Sequence, residues 1–117
     1  MVIRMQLPQR QHFIGGGGLE ELAAKVLENY CSQRFGCPLK KAHSNVKPIF
    51  FYCISRTGMD WKYFRRRWGV CENTYRRYRA QGETIAMRTM AGKKFYNEMM
   101  VLLKTAIKER KYVTLMD

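Results

Sequence analysis

The chain has 117 residues, of which 46% are hydrophobic, and carries 22 lysines and arginines against 9 aspartates and glutamates, a formal net charge of +13. Its length fits one domain with a modest core, its apolar content excludes a largely disordered chain, and no apolar run approaches the roughly 20 residues of a membrane span. Because so large an excess of one sign repels itself in a compact state, we expect a polyanionic partner, with nucleic acid the leading class and no membrane.

Residues 1–18 form a basic N-terminal segment that contains Pro8 and ends in the run Gly15–Gly18. The backbone freedom of four glycines disfavours regular structure, so we expect a flexible arm ahead of a single helical domain at 19–117. Its basic residues either seek a groove or phosphate, or belong to a frayed terminus. The segment also lacks the apolar core of a secretion signal, so we expect a cytoplasmic protein.

The first predicted helix starts at Leu19, where apolar residues begin to recur at helical spacing and Glu20 and Glu21 favour the first turn. Gly36 and Pro38 are expected to end it. A basic, turn-rich connection follows up to Asn45. The apolar positions are Leu19, Leu22, Ala23, Val26, Leu27, Tyr30 and Phe35.

The stretch VKPIFFYCIS, residues 46–55, is the most apolar part of the chain and fits either a buried strand or a buried helix. Pro48 near its start favours a helix, because a first turn tolerates proline. Asp60 is a good N-cap for a short helix that Gly69 would end. A further helix is predicted over 72–81, with Gly82 as its stop.

A long C-terminal helix is predicted over about 93–111, with a broad apolar stripe. The stripe either covers the domain's own core or also covers a second copy in a homodimer, and the sequence leaves both interpretations open. Its residues are Phe95, Met99, Leu102, Leu103, Ala106 and Ile107, bordered by Tyr96 and Met100.

Cysteines and histidines offer no recognisable chemistry. The four cysteines form no C-x-x-C pair, and the combination Cys31, Cys37, His43 and Cys53 has a spacing that matches no common zinc site. We therefore expect buried thiols, no metal and no cofactor. No nucleophile has a base at a recognisable spacing, so we expect no enzyme.

Arginines and aromatic residues alternate in WKYFRRRWGVCENTYRRYRA, residues 61–80. Apolar residues at Phe64, Trp68, Val70, Tyr75 and Tyr78 fit two short helices whose facing sides pack together, and glycine stands ninth, where a sharp turn needs positive φ. This pattern resembles the helix-turn-helix motif of DNA-binding transcriptional regulators. Two positions depart from it: Arg65 replaces the usual small residue where the helices cross, and Cys71 replaces a capping serine or threonine.

The resemblance implies that residues 72–81 form a recognition helix that enters the major groove. Asn73, Arg76 and Arg77 are then expected to contact base edges, with Thr74 either there or on phosphate. Phosphate contacts are expected from Lys62, Arg66, Arg67 and Arg79. Most aromatic residues of the motif are expected in the core, and Tyr63 is the best candidate for base stacking.

The sequence as a whole predicts an all-α protein, a small helical bundle that contains a helix-turn-helix and a long C-terminal helix. We expect it to bind double-stranded DNA sequence-specifically as a dimeric transcriptional regulator, associated with the nucleoid when bound. Two alternatives remain at this stage. One is an RNA-binding protein that uses the arginine-rich helix, and the other is an adaptor that binds a protein partner through the C-terminal helix.

Overall fold

The computed structural model describes residues 18–42 and 44–116, and within them the chain is an all-α bundle, as predicted. Five α-helices and one short 3₁₀ helix account for this part of the chain, which contains no strand. None of these helices is both long and apolar enough to cross a lipid bilayer. The helices are α1 (Gly18–Phe35), α2 (Val46–Thr57), α3 (Trp61–Arg67), α4 (Glu72–Arg88) and α5 (Met90–Met116), and the 3₁₀ helix is Leu39–Lys41.

The predicted helix ends are largely confirmed because each depends on local chemistry. Gly36 follows α1 with a φ of 68° and Gly69 follows α3 with a φ of 66°, a region that glycine enters without steric cost. Asp60 caps α3, since its carboxylate accepts a hydrogen bond from the Lys62 backbone N–H at 3.0 Å. The expected arm ends one residue earlier than predicted, because Gly18 is buried in the first turn of α1, and the rest of the arm and His43 lie outside the described residues.

Helix α2 forms the centre of the core, which explains why its sequence shows no clear polar face. It packs against α4, α5 and α3. Phe50 and Phe51 are completely buried, and the ring of Phe51 lies 5.5 Å from Trp68 and 5.4 Å from Tyr75, measured between centroids. Pro48 lies in the first turn, where its missing N–H costs no hydrogen bond. The helical interpretation of residues 46–55 is therefore confirmed.

The prediction that Gly82 ends the fourth helix is wrong, since α4 continues to Arg88. Gly82 is buried where α4 crosses α2. A Cβ atom at this position would lie 2.1 Å from the backbone oxygen of Pro48 and 2.9 Å from the Cβ of Tyr52. Glycine is therefore required here for a close approach of two backbones, not for a helix stop.

Helix α5 begins three residues before the predicted start, and its apolar stripe belongs to the chain's own core. Met99, Leu103 and Ala106 have no exposed surface, and the ring of Phe95 stacks on Phe50 at 5.9 Å. The centre of the stripe therefore has no surface to offer a second copy. Phe95 and Leu102 pack against the same core but are only partly buried, and Ile107 is also half-buried. Dimerisation through these three residues stays a prediction, whereas Met99, Leu103 and Ala106 are taken up by the core.

The substitution Gly82→Ala should destabilise the fold although alanine favours helix formation by about 1 kcal/mol. The added methyl group would collide with the backbone of Pro48, so we expect the free energy of unfolding to fall by about 1–3 kcal/mol. Urea denaturation followed by circular dichroism measures this change. The neighbouring exposed substitution Gln81→Ala is the control and should stay within about 0.5 kcal/mol of the parent. Unchanged or increased stability of Gly82→Ala would contradict the tight crossing.

Candidate functional site

The corner between α3 and α4 is a tight turn fixed by its own backbone. The Val70 N–H donates to the carbonyl of Arg65 at 2.9 Å, and the Gly69 N–H donates to the carbonyl of Arg66 at 3.3 Å. This pair of bonds, with Gly69 in the left-handed region, is the Schellman arrangement that ends many helices. Val70 is buried immediately after the turn, so the start of α4 is held at a defined angle to α3.

Aromatic packing joins this corner to α2, as the spacing predicted. Phe64 is completely buried and Tyr75 is 4% exposed. Trp68 packs on Phe64 with ring centroids 5.3 Å apart, and Tyr78 lies nearly parallel to Phe51 at 6.1 Å. The five predicted core positions of the motif are therefore buried or half-buried against one cluster: Phe64, Trp68, Val70, Tyr75 and Tyr78.

Arg65 is accommodated by a contact that sequence reasoning missed. The ring of Trp61 stacks on Tyr75 with centroids 4.3 Å apart and planes 6° from parallel, which joins the start of α3 to α4. The guanidinium of Arg65 lies 5.9 Å from the Trp61 ring, and its Nη1 donates to the carbonyl of Val70 at 3.3 Å. Arg65 thus lies along the corner and holds the turn, which a smaller residue could not do.

The three residues predicted to read bases lie together on the solvent-facing side of α4. Asn73, Arg76 and Arg77 are exposed in its first two turns, and the 100° rotation per residue places them opposite the buried Tyr75 and Gly82. Arg76 forms a salt bridge of 2.6 Å with Glu72, one turn earlier, and both side chains remain more than half exposed. The guanidinium of Arg77 lies 5.9 Å from the ring of Tyr78.

The predicted phosphate contacts divide into two groups. Lys62 and Arg66 are exposed on the side of α3 that points away from the buried Phe64. Arg79 is also exposed, but it lies about 40° around α4 from Tyr75 and so not on the side of Asn73 and Arg77. Arg67 is different, because its Nε and Nη2 donate to Glu28 at 2.6 and 3.0 Å. It therefore ties α3 to α1, and a phosphate contact by Arg67, which stays a prediction, would compete with Glu28.

Tyr63, the predicted stacking residue, also has an internal role. Its hydroxyl accepts a hydrogen bond from Nη1 of Arg67 at 2.9 Å, and its ring packs edge-on against Phe64 at 5.6 Å. The side chain is only half-exposed. A residue held by these two contacts is a poor platform for a nucleobase, so we assign Tyr63 to the support of α3.

Glu28 on α1 accepts the hydrogen bonds that join α1 to the C-terminal end of α3. Besides Arg67 it accepts a hydrogen bond from the Trp68 indole N–H at 2.7 Å. Burial alone would raise the pKa of Glu28, but the hydrogen bonds from Arg67 and Trp68, with the charges of Arg67 and Lys25, hold it below its usual value. Glu28 was missed from the sequence because its partners lie 39 and 40 residues further along the chain.

The expectation of buried thiols is correct for Cys31 and Cys53 but not for Cys71, which is exposed, and Cys37 is half-buried. Cys31 and Cys53 are buried, and burial raises the pKa of both, that of Cys53 to about 12. Cys71 is exposed at the start of α4, and a hydrogen bond with Thr74 at 3.1 Å lowers its pKa. The described residues contain no group of histidine, cysteine and carboxylate side chains placed to hold a metal ion, and His43 lies outside them.

The site therefore consists of an exposed basic set on a rigid aromatic corner. We use the term exposed basic set for Lys62, Arg66, Arg76, Arg77 and Arg79, and the neutral Asn73 lies among them. A comparison with known proteins found no matching family, no similar curated protein and no similar solved structure. The residues and their geometry are thus the observations from which a function can be inferred.

The substitution Glu28→Gln should lower the free energy of unfolding at pH 7 by about 1–2 kcal/mol, because it weakens charge-assisted hydrogen bonds to Arg67 and Trp68. The pKa of Glu28 is lower in the fold than its usual 4.5, so the carboxylate stabilises the fold above that pH. This contribution is lost as the pH falls through the lowered pKa. The difference in the free energy of unfolding between parent and variant should therefore become smaller below pH 4.5.

Urea denaturation of both proteins between pH 7 and pH 3 measures this dependence. Glu83→Gln removes the same charge from an exposed position on α4 and is the matched control, for which we expect a change within about 0.5 kcal/mol. If the difference in the free energy of unfolding between parent and Glu28→Gln stayed constant down to pH 3, the carboxylate of Glu28 would not stabilise the fold as described.

Proposed function

We propose that this chain binds double-stranded DNA sequence-specifically by placing the first two turns of α4 in the major groove, and that it acts as a transcriptional regulator. The observation that carries the proposal is the exposure of Asn73, Arg76 and Arg77 together on the side of α4 opposite the core. Arginine pairs with guanine through two donors, and asparagine pairs with adenine through a donor and an acceptor.

The rigidity of α4 supports this proposal, because base recognition requires side chains held in a fixed orientation. The opposite side of α4 is anchored by Tyr75, Gly82 and Ala86, which are all buried. The Trp61 stack on Tyr75 and the backbone bonds at Val70 fix its start. The proposed reading surface is therefore confined to the N-terminal half of α4, and the extension to Arg88 completes the crossing with α2.

Charge around this surface supports a phosphate-contacting role for the neighbouring residues. Lys62 and Arg66 are exposed on the helix that precedes the proposed recognition helix, the position from which related motifs contact the DNA backbone. Arg79 extends the charge along α4. Glu72 lies among these cations and holds Arg76 at 2.6 Å, so it orients one of the proposed base-reading arginines.

The adaptor alternative has less support, since Met99, Leu103 and Ala106 at the centre of the stripe on which it depended are buried in the core. RNA binding would use the same cations without requiring an ordered recognition face, and it becomes an outcome of the tests below. The contacts of Tyr63 with Arg67 and Phe64 also give less support to base stacking by Tyr63, and so to a single-stranded partner.

The substitution Arg77→Ala should weaken binding to a preferred duplex by about 1–3 kcal/mol, roughly 5-fold to 150-fold, and relax the sequence preference. Arg66→Ala should instead weaken binding to all duplexes alike. It should also reduce the slope of log affinity against log salt concentration by the amount that one phosphate contact contributes. Fluorescence anisotropy with labelled duplexes at several salt concentrations measures both effects.

Lys104→Ala removes one charge from the exposed side of α5 and is the matched control for both variants. It should leave affinity and sequence preference close to those of the parent. Equal and small effects of all three substitutions on every duplex would contradict base reading by α4. Stronger competition by a structured RNA than by duplex DNA of the same length would favour RNA as the partner.

A further inference from the structure

A groove of about 760 Å³ lies along the outer side of α5, beside Tyr30 of α1. It contains two apolar side chains that the core does not use, since Met90 is 90% exposed and Val101 is 63% exposed. Between them lie the polar residues Lys94 and Glu98. Tyr30 and Leu102 form the side of the groove that adjoins the core, and none of its residues belongs to the exposed basic set.

The spacing of these residues is typical of a helix that packs against another helix. Met90, Lys94, Asn97 and Val101 are separated by four, three and four positions, so they form a straight row on the side of α5 opposite the buried Met99. Glu98 flanks this row on the same side as Lys94. Helix α5 therefore has a second potential packing face in addition to the stripe that covers the core.

The apolar pair and the charged pair have midpoints within half a residue of each other. The position midway between Met90 and Val101 falls between residues 95 and 96, and residue 96 lies midway between Lys94 and Glu98. A twofold axis near this point would bring a second α5 across the first in the antiparallel direction. Met90 would then meet the partner's Val101, and Lys94 would meet the partner's Glu98, while Lys93 would lie at the edge of the contact.

We propose that a second copy of this chain docks on this face, with Met90 against the partner's Val101 and Lys94 against the partner's Glu98. Twofold symmetry makes each of these contacts twice, which is the self-complementarity that a closed dimer requires. One twofold axis thus accounts for both the apolar contact and the ion pair, which favours a second copy over an unrelated partner.

The position of Glu98 supports this pairing. The hydroxyl of Tyr30 donates to Oε1 of Glu98, and Arg34 lies 3.8 Å from the same oxygen, so the carboxylate is held at the edge of the groove. Its side chain remains 36% exposed. The other oxygen can then accept a hydrogen bond from the partner's Lys94, which is exposed.

The interface does not involve the exposed basic set, so it can be tested without nucleic acid. Sedimentation equilibrium of the nuclease-treated full chain should show a concentration-dependent transition from 13.9 kDa to twice that mass. Moderate salt is used because the charge of +13 on each copy opposes association. The single variants Lys94→Glu and Glu98→Lys should each weaken the dimer at least tenfold, since each places like charges opposite one another.

An equimolar mixture of these two variants should recover the dimer, because every facing pair is then again of opposite sign. Val101→Glu should abolish the dimer without changing the fold, as the residue is exposed, and circular dichroism and urea denaturation verify folding for each variant. Lys62→Glu makes the same change of charge on α3 and is the control that should dimerise normally.

A wild-type chain that stays monomeric at every concentration used in the sedimentation experiment would overturn the proposal. So would unaltered dimerisation of Lys94→Glu or Val101→Glu, or a mixture of folded charge-reversed variants that remains monomeric. If Glu98→Lys does not fold after losing its bond to Tyr30, the two exposed variants decide the question.

Discussion

The packing of α2 beneath the corner of α3 and α4 is the interaction on which the rest of the structure depends. Phe51 contacts Trp68, Tyr75 and Tyr78, so one fully buried ring locates both helices of the corner. The second anchor is Gly82, where α4 approaches the backbone of Pro48 more closely than any larger residue permits. Together these contacts fix α4 along its length and leave its outer side to solvent.

This packing separates the arginines of residues 61–80 into two groups with different physical roles. Arg65 and Arg67 join separate parts of the fold, the first at the Val70 carbonyl and Trp61 and the second at Glu28, whereas Arg76 pairs only with Glu72 in its own helix. Arg66, Arg76, Arg77 and Arg79 remain exposed. Part of the positive charge of the stretch is thus used in contacts within the protein. The part available to a polyanion is smaller than the sequence indicates, and it lies on the exposed surface of α3 and of the N-terminal half of α4.

Features set by near neighbours in the chain could be predicted from the sequence. The Asp60 cap, the turn at Gly69 and the burial of Phe64 and Tyr75 each depend on a spacing of a few residues. Gly82 was misinterpreted because a glycine required by a distant backbone looks the same in sequence as a helix stop. Glu28 was overlooked for a similar reason, since its partners become neighbours only when α1 and α3 pack together.

The two faces of α5 show the same distinction between local pattern and tertiary context. Its periodicity predicted an amphipathic helix correctly, but periodicity cannot tell whether an apolar stripe meets its own chain or another copy. Met99, Leu103 and Ala106 are buried in the core, while Met90 and Val101 are exposed to solvent on the opposite side of the helix. The proposed dimer therefore depends on a face that the sequence pattern did not single out.

The central claim is that the outer side of α4 reads DNA sequence, and selection of bound duplexes from a random pool tests it most directly. The wild-type chain should enrich a defined consensus, and a folded variant in which Asn73, Arg76 and Arg77 are all alanine should lose that enrichment while retaining weak binding through phosphate contacts. A wild-type pool without enrichment, or the same consensus selected by the triple variant, would contradict the claim.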